Sequence, residues 1–168
     1  FYKNGRLLRN KIKNHPRYPY HLLREEMQEF ILDKLQLLIE RKLIKGIGEN
    51  GTEYTVIAQI LDLPKEILRL IQKFDFTKKN PKLIYINTGE TMISLQDSIL
   101  VTFLNLAGFD ILFFVPTGYQ SVENYFAEKL MEEHQIGEYK YDMQVPDLNN
   151  ISTNSTRPSW RRKLFRRG

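Results

Sequence analysis

The sequence predicts an α/β fold: a Rossmann-like, three-layer half-domain with a parallel sheet, preceded by a helical region. Three observations carry this. Two short β-rich runs, "LIYIN" (83–87) and "DILFFV" (110–115), flank one apolar segment of helical length. The connections are short, and strands alternating with helices form parallel pairs with right-handed crossovers. Upstream, residues 21–46 carry apolar side chains at three- and four-residue spacing.

In chain order, residues 1–18 read as a basic N-terminal extension and 19–76 as the helical region. Leu23, Met27, Phe30, Ile31, Leu35, Leu38 and Ile39 make one face of a long helix over 21–46, with Gly46 and Gly48 as its stop. Residues 53–74, "EYTVIAQILDLPKEILRLIQKF", read as two short helices, Pro64 fitting the first turn of the second. The polar "TKKNPK" opens the α/β part, 77–145. Its first strand is 83–87. Its crossover helix, "SLQDSILVTFLNLAG", takes Ser94 as N-cap and Gly108 as stop. In the run at 110–115 every residue after Asp110 is apolar, as in a strand covered on both faces. Residues 121–135 predict an amphipathic helix through Val122, Tyr125, Phe126 and Leu130, and 138–143 a third strand. Residues 146–168 form a polar, flexible, basic C-terminal tail.

The net charge of +5 conceals a strong asymmetry. Residues 1–18 and 157–168 carry +6 each, whereas 19–156, with 13 basic and 20 acidic residues, carry −7. The sequence pI of 9.3 therefore does not describe the body, and nucleic acid is not its expected partner. The tail surrounds Trp160, Leu164 and Phe165 with arginines, which suits an acidic partner or an anionic surface. Cysteine is absent, which excludes disulfides and thiolate metal sites and fits a reducing compartment. No stretch has the order of a secretory signal. Asn105, Gly108 and Asp110 interrupt the apolar run 99–115, so it is not a membrane span. The chain starts at Phe1 rather than Met, which reads as a piece lacking an N-terminal partner domain.

Two loops share one grammar: an apolar run, a Thr-Gly turn, then a helix-like segment. They are "NTGETMIS" (87–94) and "PTGYQSVE" (116–123). Ligands of open parallel sheets bind beyond the carboxyl ends of the strands. In the second loop Gly118 permits close backbone approach, Thr117 and Ser121 offer hydroxyls, and a following helix would present free N–H groups to a phosphate. Tyr119 suits stacking on a base or sugar. In the first loop Thr88, Gly89, Glu90 and Thr91 suit sugar hydroxyls, since Glu90 repels phosphate. The competing account is that Ser94 and Ser121 cap helices and the glycines only serve turns. Neither loop matches G-x-G-x-x-G or the Walker A pattern, so no cofactor is assigned. His15, His21 and His134 are scattered, no metal-binding spacing exists, and no catalytic residue is identified. Lys65, Arg69 and Lys73 make a basic stripe on the second short helix, the one feature pointing to helix-turn-helix nucleic-acid binding. Leu63-Pro64 in place of a small turn residue, with Asp62 and Glu66 close by, favours a plain αα-hairpin.

Beyond these motifs, "PKLIYINTGETMISLQDSILVTFLNLAGFDILFFVPTGYQSVENYF" (81–126) resembles the C-terminal part of the YceG-like proteins of bacterial tellurite-resistance and chemical-stress gene clusters. The similarity covers most of the chain and is clearest over 54–126. It implies a longer cytoplasmic polypeptide, a component of a biosynthetic module, and carries over no catalytic residue. By analogy the β-loop-α pattern is similar to the donor-binding half of two-domain glycosyltransferases. The expected function is binding of a phosphorylated sugar or nucleotide as half of such an enzyme. The alternative is a non-catalytic interaction module of a stress complex, which would show an exposed apolar patch.

Overall fold

A computed structural model describes residues 1–73, 79–89, 93–119 and 123–145. The chain opens with a hairpin, β1 (Tyr2–Lys3) and β2 (Arg6–Leu7), closed by Asn4-Gly5, both at positive φ. That pair is the preferred composition of a tight hairpin turn. Helices α1 (Arg9–Lys13), α2 (Glu25–Glu40), α3 (Thr52–Ile60) and α4 (Lys65–Lys73) follow. Then come strand β3 (Lys82–Ile86), helix α5 (Leu95–Leu106) and strand β4 (Asp110–Phe114).

β3 and β4 pair in parallel, Ile84 opposite Leu112 and Tyr85 opposite Phe113, with α5 as the crossover. This is the expected β-α-β unit. α5 is apolar nearly all round because it lies between the sheet and the α2/α3 layer, burying Ile99, Phe103 and Leu104 in a core shared with Ile31, Leu35 and Val56. Ser94 caps it: its Oγ accepts from the Asp97 N–H at 3.1 Å and donates to Asp97 Oδ2 at 2.7 Å. Gly108, at φ 102°, ends it.

Several expectations are corrected. α2 begins at Glu25, after turns through Tyr18 and Leu23, and stops at Glu40. Lys42 takes a positive φ there, and the Leu43 N–H reaches back to the Leu38 carbonyl, so Gly46 and Gly48 belong to the next turn. Residues 1–18 are packed rather than an extension. Leu7, Ile12 and Tyr18 are buried, and Arg9 and Lys13 pair with Glu29 on α2, with Asp33 and Glu25 as further partners. Two of the six basic residues of this segment, Arg9 and Lys13, thus pair with acids of α2. One core joins the helical region to the β-α-β unit.

The helix over 121–135 and the strand over 138–143 are absent among the described residues 123–145. The reason is nonlocal pairing. The Lys45 N–H donates to the Tyr125 carbonyl and the Ala127 N–H to the Leu43 carbonyl, each at 2.9 Å, and Phe126 bridges to Ile44 and is buried. Backbone committed to an extended partner cannot also close helical turns. The strands also alternate rather than being covered on both faces. Leu83, Tyr85, Ile111 and Phe113 pack toward the core, while Ile84, Ile86, Leu112 and Phe114 are exposed. The described residues therefore hold one face of the sheet covered and the other open, without the third layer. Residues 146–168, with the tail and Trp160, lie outside the described residues. No helix among the described residues is long and apolar enough to cross a membrane.

Candidate functional site at the strand ends

Because β3 and β4 are parallel neighbours, the segments after Ile86 and Phe114 leave the sheet at the same end. The Asn87 N–H donates to the Phe114 carbonyl at 3.0 Å, which ties the two loops together. Asn87 and Thr117 are both buried there. Each turns back on its own loop: Asn87 Oδ1 accepts from the Gly89 N–H, and Thr117 Oγ1 from the Tyr119 N–H, both at 3.3 Å. These are Asx- and ST-type turns, which use the side-chain oxygens locally. The Gly118 N–H donates to the Val115 carbonyl at 3.0 Å.

Thr88, Gly89, Thr117, Gly118 and Tyr119 are therefore assembled at one end of the sheet, with Tyr119 exposed. Glu90, Thr91 and Ser121 lie outside the described residues. The helix expected after Ser121, which would have aimed free N–H groups at a phosphate, is absent from 123 onward. Two residues not foreseen from sequence belong to the site. Asn87 organises the first loop. Tyr139 covers the second: its ring lies against Gly118, and the Lys140 N–H donates to the Pro116 carbonyl at 2.8 Å. Gly118, at φ 67°, does allow a close approach, and the group that approaches is Tyr139. Asn87 was legible as a turn-forming residue in "NTG". Nothing local marked Tyr139.

Electrostatics at the site are mild. Burial raises the Tyr85 hydroxyl above its ordinary pKa, and the nearby Asp97 carboxylate adds to this. At the opposite end of the strands Lys82 Nζ meets Asp110 Oδ2 at 2.5 Å and lowers the Asp110 pKa. No group of His, Asp and Glu suited to a metal ion occurs among the described residues. On α4 the stripe Lys65, Arg69 and Lys73 is exposed beside Glu66, as on any solvated helix face.

Residues 1–156 match the family described as the YceG domain. The chain is 31% identical over 93 residues to the uncharacterized protein YceG of Bacillus subtilis (strain 168), an overlap of 54% of this chain and 17% of that protein. The chain thus spans a minor part of that relative's length. No solved structure matches.

Proposed function

The chain belongs to the YceG domain family, and from that premise we propose that it binds a phosphorylated sugar or nucleotide at the shared end of β3 and β4, as part of a larger biosynthetic, glycosyltransferase-like enzyme of the cytoplasm. One observation carries this reading: the parallel register of β3 and β4, which sets residues 87–89 and 117–119 side by side where open α/β sheets take their ligands. Tyr119 is exposed for stacking on a base or sugar. The loop N–H groups are satisfied internally and Tyr139 lies over Gly118, so binding requires Tyr139 to swing away and the turns to open. The association with tellurite and chemical-stress resistance rests on the resemblance of residues 81–126 alone. The test is an amide titration with nucleotides, sugar phosphates and nucleotide sugars. Gly118, Tyr119 and Gly89 should shift first, with Tyr139 responding at the same concentration. An unmoved set across that panel would leave the loops as turns only.

A second reading, a non-catalytic interaction module within a stress complex, has its own support in the exposed apolar rows of the sheet. It predicts association unaffected by any small ligand.

A further inference from the structure

The open face of the β3–β4 sheet carries three cross-strand rungs: Lys82 beside Asp110, Ile84 beside Leu112, and Ile86 beside Phe114. The first is an ion pair. The other two are apolar and accessible, with Ile84 60%, Leu112 56%, and Ile86 and Phe114 each 37% exposed. Parallel strands are rarely left this way, because the crossover topology normally supplies a layer on both faces. A two-stranded pair is also marginal without further packing. The opposite face has its layer in α5.

We propose that this face seats an amphipathic helix supplied by the same polypeptide from outside these 168 residues. Area decides between this occupant and a separate molecule. With roughly 150–200 Å² for a fully exposed side chain of this size, the four residues offer roughly 350 Å². A stable bimolecular interface needs about 800 Å² on each partner, so neither a second copy nor a free partner is held by these rungs alone. A tethered segment needs far less, because its effective concentration reaches the millimolar range without a second molecule being captured. Length supplies the segment: the Bacillus subtilis relative is matched over only 17% of its own chain, leaving ample polypeptide for a further layer. The shape of the face specifies a helix. Two apolar rungs on adjacent parallel strands form a short, twisted patch that one helical stripe at i, i+3, i+4 and i+7 covers. This inference stands apart from the ligand proposal, since the loops lie at the strand ends and not on this face.

The chain has no cysteine, so single thiols report cleanly. Leu112→Cys, with Ile84→Cys as a second probe and Gln72→Cys on the exposed side of α4 as control, is made in the 168-residue chain and in the polypeptide as its gene encodes it in full. Maleimide labelling is followed by mass spectrometry of each target peptide. Labelling at 112 and 84 should be at least tenfold slower in the full polypeptide, with 72 unchanged. A photocrosslinker at 112 should reach residues three or four apart in a segment outside 1–168. Equal labelling of 112 in both forms overturns the proposal. So does protection in the 168-residue chain that grows with its concentration, which would make a second copy the occupant. Crosslinks spaced two residues apart would mean a second sheet and also overturn it.

Discussion

The ring of Tyr139 rests on the backbone of Gly118, so that any Cβ at position 118 would overlap it. This one contact explains why glycine stands in the second loop.

The first prediction tests that contact. Gly118→Ala places a side chain at φ 67°, costing about 1–2 kcal/mol for the left-handed backbone, and adds the overlap with Tyr139. In a Tyr139→Ala background only the backbone cost remains. Urea titrations of the four proteins should give a coupling of about 1 kcal/mol or more, in the range seen for touching residues. Additive effects would mean that Tyr139 is not on Gly118 in solution.

A second prediction concerns Tyr20. Its buried hydroxyl donates to the Ile60 carbonyl at 2.5 Å and accepts from the Leu63 N–H at 3.0 Å, clamping the α3–α4 turn. Burial raises its pKa strongly. Tyr20→Phe leaves both backbone groups without this partner and should cost about 1–3 kcal/mol. Chemical denaturation reads this directly, and amide exchange at Leu63 should accelerate with it.

The two faces of the sheet should answer differently to truncation. Phe113 packs toward the core and touches Tyr85, with ring centroids 5.3 Å apart. Phe113→Ala should cost about 2–3 kcal/mol, below the range for fully buried aromatics. Ile84→Ser, on the open face, should stay within about 0.5 kcal/mol in the 168-residue chain. Melting curves giving equal losses would mean that the face is already covered.

The acid limb of stability should depend on Glu29. Its hydrogen bond from Lys13, helped by Arg9, lowers its pKa below the ordinary 4.5. A carboxylate lowered on folding stabilises fully above its unfolded value, and that stabilisation is lost as pH falls through the folded value. Lys13, raised above 10.5 chiefly by its hydrogen bond to Glu25, has the opposite sign: its contribution is lost as pH rises through its folded value. Glu29→Gln should therefore cost at most about 1 kcal/mol at pH 7, since the pair is partly solvated, and less at higher salt. The gap from wild type should close below pH 4. Urea midpoints from pH 7 to 3 check the sign, and a gap that widens in acid would refute the assignment.

Local pattern was sufficient for much of the molecule. Ser94 and Gly108 bounded α5, the apolar stripe through Ile31, Leu35 and Leu38 identified α2, and the runs around Ile84 and Leu112 gave a parallel pair. Periodicity, capping and turn chemistry act within a few residues, so they can be read along the chain. The fate of 123–145 cannot. Its spacing favours a helix in isolation, but Tyr125, Phe126 and Ala127 take partners at 43–45, some eighty residues earlier, and that pairing wins because it buries Phe126. The same holds for the site. Thr117 and Gly118, and Asn87 in its Asx turn, were visible as turns at strand ends, whereas the arrival of Tyr139 and the open row of Ile84 and Leu112 depend on which distant segments meet. Sequence by itself determined the parallel β-α-β unit and the main helices before it. Tertiary structure decided what covers each face, because coverage is a property of contacts between segments that share no local signal.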